Sequence, residues 1–217
     1  MDVAGVMAEI AAGEDAKTRE INERRGDDLG VKLGDLRKIA KTARGAGLED
    51  DLWTTGDVAA QLIAVLGMKP RAVDSDRVDA LLREAASPKV HEWFVNYVAK
   101  KHPAAEDLRV RWLGDGDPVT ESAGWALTQV RIQKSPEGLD LPGILDEIEA
   151  RMVDADPRLQ WEMNNCLAYV GIHHGELRER AVAIGERLGV LKDYPTPPGC
   201  TSPYAPLWIA EMVSRQE

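Results

Sequence analysis

The chain has 217 residues, of which 44% are hydrophobic and 29% charged, and its formal net charge is −10. No apolar run approaches the roughly 18 residues of a membrane helix, and the N-terminus lacks the basic start and long apolar block of a signal peptide. The two cysteines, Cys166 and Cys200, are too few for a disulfide framework or a four-cysteine zinc site. We therefore predict a cytoplasmic protein with reduced thiols and no membrane association, cofactor or metal.

Hydrophobic residues recur with helical periodicity along most of the chain, whereas the alternating pattern of strands is nearly absent. Proline and glycine residues mark the ends of the periodic segments, as they commonly do for helices. This pattern predicts an all-α protein. The predicted helices cover about 2–12, 15–25, 32–45, 56–67, 76–86, 89–101, 104–113, 118–133, 141–154, 158–172 and 175–188.

From about residue 56 the predicted helices form pairs joined by short loops. Three of them begin with a proline after a serine or aspartate, at Pro88, Pro118 and Pro157, with spacings of 30 and 39 residues. This is a loose repeat in the size range of HEAT-like helix pairs, which stack into a curved solenoid. We predict a HEAT-like helical-repeat solenoid, an α-α superhelix, as one domain over 1–217. An unrelated helical bundle is the alternative.

The C-terminal stretch 190–209 is rich in proline, which interrupts helices. We predict an extended segment here that covers the last repeat, anchored by Tyr204, Leu207, Trp208 and Ile209.

The charge is unevenly distributed. Residues 17–44 hold nine Lys or Arg against five acids, so this segment carries +4 and the remainder −14. In predicted helix 32–45, Arg37, Lys41 and Arg44 are spaced to share one face, with Lys38 beside Arg37. Such a face is either simply solvated or a contact surface for phosphates. The net charge of −10 argues against a protein that coats nucleic acid indiscriminately.

Three predicted helices carry aromatic and amide residues opposite their hydrophobic stripes when residues are placed about 100° apart. These residues are Asn96, Trp125, Trp161, Asn164 and Asn165. In one interpretation these faces pack on another helix layer, and the amides bond to loops. In the other they line a groove in which amides contact backbone or phosphate oxygens and tryptophans contact sugars or bases.

Two further groups of residues are candidates for chemical sites. His173 and His174 are adjacent, so they point apart on a helix, and a hydrogen-bonded helix end is favoured over a metal site. Cys200 has no histidine or other base beside it in the sequence, which disfavours a nucleophilic role.

Several motifs resemble the DNA alkylation repair family of HEAT-like repeat proteins, whose best-known members are DNA glycosylases that remove alkylated purines. They are GVKLGDLRKIAK (30–41), LW (52–53), AGWAL (123–127), EMNNCLAYVGIHH (162–174) and KDYPTPPGCTSPYAPLWI (192–209). The resemblance covers nearly the whole chain. It implies an α-solenoid with a concave duplex-binding face.

The resemblance also implies a set of catalytic positions, which this chain does not match. The glycosylases use an aspartate and a tryptophan on one helix, an arginine in the next repeat and a later tryptophan. The aspartate aligns best with Asn96, with Trp93 as its aromatic partner, and the later positions fall near Glu121, Ser122 and Cys166. A neutral amide supplies only a dipole where the carboxylate would stabilise a cationic sugar.

The leading functional prediction is a protein that binds duplex DNA, with weak or altered glycosylase activity left open. The predicted DNA contacts are Arg37, Lys38, Lys41, Arg44, Trp125, Trp161, Asn164 and Asn165. One alternative is a non-catalytic scaffold for a protein or acidic partner, and another is an enzyme acting on a small substrate in the tryptophan and asparagine groove.

Overall fold

The computed structural model describes residues 1–24 and 26–216, and this part of the chain contains α-helices and short 3-10 turns but no β-strand. The helices are α1 (Val3–Ala12), α2 (Ala16–Glu23), α3 (Leu33–Ala43), α4 (Glu49–Thr54), α5 (Val58–Gly67), α6 (Ser75–Arg83), α7 (Pro88–Tyr97), α8 (Ala105–Leu113), α9 (Pro118–Lys134), α10 (Leu141–Arg151), α11 (Pro157–His173), α12 (Arg178–Leu188) and α13 (Ala205–Ser214). None of the helices in this part combines the length and hydropathy that a membrane crossing requires. The prediction of an all-α protein is confirmed.

The helices group into two compact units, residues 1–105 and 106–217, which we call the N-terminal and C-terminal units. The curved solenoid shape and the single domain over 1–217 stay predictions.

The three proline starts are confirmed as helix starts. In each case the preceding side chain accepts a hydrogen bond from a backbone N–H of the first turn: Ser87 from Val90 (3.2 Å), Asp117 from Thr120 (2.8 Å) and Asp156 from Arg158 (3.0 Å). Proline at the first helical position leaves no extra N–H unpaired, so proline and cap together define where α7, α9 and α11 begin.

In the N-terminal unit, α5 is the central helix and packs against α3, α4 and α7. Helix α4 was not predicted, although its Leu52 and Trp53 are both buried. Trp53 packs against Phe94 of α7, with ring centroids 5.6 Å apart, and its Nε1 donates to Glu84 at 3.0 Å. The packing of α3 and α7 around α5 positions the basic residues described below.

In the C-terminal unit, α9 and α11 pack against each other, and α12 and α13 pack on α11. A glycine on α9 and a glycine on α11 allow the neighbouring helices α8 and α13 to approach closely. A Cβ at Gly124 would lie 2.9 Å from the backbone nitrogen of Leu113, and one at Gly171 would lie 2.5 Å from Cδ1 of Ile209. Because α9 and α11 are covered on more than one side, residues opposite their predicted core stripes are also buried.

Three predicted boundaries are corrected. Helix 32–45 ends at Ala43, so Arg44 has left the helix (φ −57°, ψ 130°) and does not continue the face of Arg37 and Lys41. Helix 89–101 ends at Tyr97 and is followed by a 3-10 turn, Ala99–Lys101. The segment predicted to be extended to 209 becomes helical at Ala205, because Pro206 lies in the first turn of α13, where a missing N–H costs nothing.

Candidate nucleic-acid interface

Two cations and two aromatic rings form a continuous row in the N-terminal unit. The Arg37 guanidinium carbon of α3 lies 5.0 Å from the centroid of the Trp93 ring of α7. Trp93 in turn lies 5.4 Å from the Tyr97 ring, and the Lys101 Nζ lies 5.1 Å from the Tyr97 centroid. We call these four side chains the Arg37–Lys101 row.

Local geometry explains the row. Trp93 and Tyr97 are four residues apart, so they are neighbours on one face of α7. The 3-10 turn after α7 keeps Lys101 near that face. Cations are attracted to the negative faces of aromatic rings, so the rings hold Arg37 and Lys101 in defined positions without neutralising their charge.

Several cations of this surface are available for an anionic ligand. Arg37, Lys41 and Lys101 are exposed, and among the described residues none of them forms an ion pair with a carboxylate. Lys38 differs, because its Nζ lies 2.7 Å from Oδ1 of Asp35. That hydrogen bond and the Lys38 charge lower the pKa of Asp35.

The rest of the predicted basic segment contributes less positive charge. Arg19 pairs with Glu14 and Asp28, and Arg24 pairs with Glu20. Arg44 lies at a different place, where it lines a cavity whose other charged residues include both acids and cations: Glu49, Asp50, Lys69, Asp74 and Arg77. Lys17 and Lys32 likewise form no ion pair among the described residues, so what distinguishes Arg37 and Lys101 is their contact with aromatic rings.

Asn96 and Trp93, the pair matched to the catalytic aspartate and its aromatic partner, lie next to the row. Asn96 is exposed, and its Oδ1 accepts a hydrogen bond from Lys100 Nζ at 2.9 Å. Trp93 is only 5% exposed and has Arg37 over its ring. The aromatic ring is thus occupied by a cation of the protein itself.

The other implied catalytic positions face the protein interior. Glu121 is 4% exposed and pairs with Arg151, whose guanidinium nitrogen lies 2.7 Å from its Oε1. Ser122 and Cys166 are also buried. An acid thus stands where the resemblance implies an arginine, and a buried thiol stands where it implies a tryptophan.

The groove prediction is wrong for Trp125 and Asn164, which are each 1% exposed. The Trp125 ring packs in the core of the C-terminal unit. Asn164 Nδ2 donates to the carbonyl oxygen of Pro203 at 2.9 Å. The packing of neighbouring elements on both sides of α9 and α11 explains the difference, because the helical period cannot reveal a second buried face.

Trp161 and Asn165, in contrast, do share an open cavity. Its volume is about 460 Å³, and its other walls come from the C-terminal segment 194–203 and from Trp208 of α13. Asn165 also donates from Nδ2 to Glu162 Oε2 at 3.0 Å. The predicted DNA-contacting residues thus divide among α3, the separate cavity that Arg44 lines, the core and this cavity.

The two histidines end α11 as predicted. His174 Nε2 lies 3.0 Å from the carbonyl oxygen of Ile132, and the His173 ring lies 5.4 Å from that of Tyr169. Burial lowers the pKa of His173, and the neighbouring His174 adds to the effect. Within residues 1–24 and 26–216, no cluster of histidine, cysteine and acidic side chains is arranged to hold a metal ion.

Sequence reasoning did not place Tyr97, Lys101, Tyr194 or Trp208 at a binding site, although it named Trp208 as an anchor of the C-terminal segment. The first two carried a usable signal, because Trp93, Tyr97 and Lys101 follow one another at four-residue intervals. Tyr194 and Trp208 carried none, since they meet Trp161 and Asn165 only through the folding of the C-terminal segment.

Comparison with known proteins agrees with this architecture. The chain is similar to an uncharacterized protein of Listeria innocua, with 23% identity over 192 residues, 83% of this chain and 84% of that protein. A protein of Listeria monocytogenes matches with 23% identity over 192 residues, again 83% of this chain and 84% of its own length.

A solved structure matches the fold of the whole chain. It is described as a new family of proteins related to the HEAT-like repeat DNA glycosylases with affinity for branched DNA structures. The TM-score is 0.77 at 24% identity, with 100% of this chain and 95% of that chain covered, so the fold is HEAT-like. The family model for DNA alkylation repair enzymes matches residues 6–209. Because that match spans most of its length, the chain belongs to the DNA alkylation repair enzyme family.

Proposed function

We propose that this protein binds the sugar-phosphate backbone of DNA through the Arg37–Lys101 row and Lys41, and that it prefers branched DNA. We also propose that it does not excise bases by the glycosylase chemistry in which an aspartate carboxylate stabilises the cationic sugar. The observation that carries the proposal is the set of exposed cations without ion pairs, Arg37, Lys41 and Lys101, two of which are held by aromatic rings. Lysine and arginine bind phosphates by displacing condensed counterions, and this contact does not depend on base sequence.

The family and the solved relative support DNA as the ligand. Membership of the DNA alkylation repair enzyme family favours DNA over a protein partner. The relative with the similar fold has affinity for branched DNA structures. An acidic protein that binds through one basic surface suits recognition of a DNA shape better than coating of any duplex, because its net charge of −10 repels phosphates elsewhere.

The chemistry at Asn96 argues against the known excision route. An amide in place of a carboxylate cannot balance a full positive charge on a departing sugar. Lys100, 2.9 Å from the Asn96 oxygen, adds a positive charge that opposes such a cation. The buried Glu121 is an acid, so it cannot take the place of the arginine that the resemblance implies near this position.

Branched DNA should bind roughly tenfold more tightly than a linear duplex of the same length, which corresponds to about 1.4 kcal/mol. The measurement is fluorescence anisotropy with a four-way junction and the matched duplex at one fixed salt concentration. Equal affinities for the junction and the duplex would contradict the proposed preference for branched DNA. Absence of binding to either DNA at low salt would reject the proposal and favour the protein-scaffold alternative.

Base release should be absent. The wild-type protein is expected to release no alkylated purine from methylated DNA above the spontaneous rate, measured by chromatography of freed bases. Asn96→Asp should remain inactive too, because the new carboxylate would pair with Lys100 and because position 121 still holds an acid where the resemblance implies an arginine. Release by the wild type, or a gain in Asn96→Asp that Asn96→Ala lacks, would show that the excision chemistry survives.

A further inference from the structure

The cavity between α11 and the C-terminal segment has the composition of a site for a flat, uncharged ring. Its volume of about 460 Å³ lies within the range of small-ligand sites. Aromatic walls come from Trp161, Tyr194 and Trp208, and polar groups come from Asn165, Thr201 and Ser202. Every residue that lines it is uncharged.

The aromatic walls are held in place by neighbouring rings. Trp161 and Tyr194 meet edge to face with centroids 5.3 Å apart, and Trp208 meets Tyr169 edge to face at 5.8 Å. Both tryptophans are only half-buried, so part of each ring is open to a ligand. Rings fixed in this way lose little conformational freedom when they bind a ligand.

A hydrogen bond from a buried side chain of α11 holds the backbone of the C-terminal segment in place. Asn164, next to Asn165, donates to the Pro203 carbonyl oxygen and is buried. The two asparagines therefore have separate tasks: one holds the segment that forms the wall, and the other faces the cavity.

We propose that this cavity binds an unpaired nucleobase. Bases stack on aromatic side chains, and their edges carry donors and acceptors that amides and hydroxyls can satisfy. A free phosphate or a metal ion does not suit an uncharged, mainly aromatic site.

This inference rests on the proposed DNA binding and gives the preference for branched DNA a physical cause. Junctions present unpaired or easily unpaired bases at the branch point, whereas an intact duplex keeps its bases stacked. Capture of such a base therefore adds affinity that a linear duplex cannot supply.

The proposal is tested by measuring binding while a cavity residue of the protein and the unpaired base of the DNA are each removed, singly and together. The DNA probes are a three-way junction with one unpaired adenine at the branch and the same junction with an abasic tetrahydrofuran there. The full-length wild type should bind the abasic junction roughly tenfold more weakly, a loss typical of one stacked base. Trp161→Ala should bind both junctions equally, close to the affinity of the wild type for the abasic junction.

Two variants control for folding and position. Trp161→Phe keeps an aromatic wall and should retain most of the difference between the two junctions. Leu207→Ala alters a 57% exposed side chain of α13 that does not line the cavity, and it should behave like the wild type. Circular dichroism of each variant verifies that the helices are intact.

The outcomes separate this inference from the proposed function. Equal binding of both junctions by the wild type, or an undiminished difference in a folded Trp161→Ala, would overturn the cavity as a base site while DNA binding stands. If the wild type binds neither junction nor a duplex at low salt, the proposed function fails and the base site is overturned with it.

Discussion

Replacing Arg37, Lys41 and Lys101 together by glutamine is expected to weaken binding to duplex DNA by on the order of 100-fold near 0.1 M salt. Each contact between a cation and a phosphate contributes about 0.9 to the slope of log affinity against log salt concentration, so the slope should become shallower by about 2.7. The measurement is a series of anisotropy titrations at several salt concentrations. Glutamine is polar and uncharged, so the change removes the positive charge and keeps a polar side chain at each position.

A matched variant with the same change in net charge provides the control. Arg24, Lys38 and Lys89 are paired with Glu20, Asp35 and Glu92 in the same unit, so their positive charge is already partly balanced. Glutamine at these three positions should change affinity by less than about threefold, because these cations have fewer counterions to release. Similar losses in the two triple variants would show that binding follows overall charge and not the Arg37–Lys101 row.

Asn164→Leu is expected to lower the free energy of unfolding by about 1–3 kcal/mol, because the buried bond to the Pro203 carbonyl is lost and that oxygen is left without its partner. For a chain of this size the melting temperature should fall by roughly 2–4 °C per kcal/mol. Denaturant unfolding measures the effect, and limited proteolysis should find residues 190–204 more easily cleaved. Duplex affinity per folded molecule should not change, because Asn164 lies in the core.

The neighbouring amide is the control for this change. Asn165 is half-buried, and its amide donates to a side chain of its own helix, Glu162. Asn165→Leu should therefore cost less than about 1 kcal/mol. Equal destabilisation by the two substitutions would contradict the assignment of Asn164 as the clamp of the C-terminal segment.

The distribution of charge has a consequence for how DNA approaches. A net charge of −10 disfavours DNA over most of the surface, while Arg37, Lys41 and Lys101 attract it at one place. Such asymmetry orients the ligand during association, and its effect weakens with salt because exposed charges are screened over about 10 Å at 0.1 M.

Helix positions were readable from the sequence wherever the signal was local. The proline starts at Pro88, Pro118 and Pro157 depend on caps within the first turn, and all three were predicted correctly. The core stripe of α11 also follows from its own period. Helices α4 and α13 were missed because one is a single short helix of 6 residues and the other follows several prolines.

The sequence by itself determined the all-α class, the family and the basic character of α3, because periodicity, motifs and charge are properties of short stretches. Only the tertiary structure decided which polar residues are available to a ligand. Packing of further elements onto α9 and α11 buries Trp125 and Asn164. Tertiary contacts also place Arg37 over the Trp93 ring and bring Trp161 and Tyr194 into one cavity. Helical periodicity predicts the direction in which a side chain points from the axis of its helix. Which residue that side chain then contacts depends on packing between segments far apart in the chain.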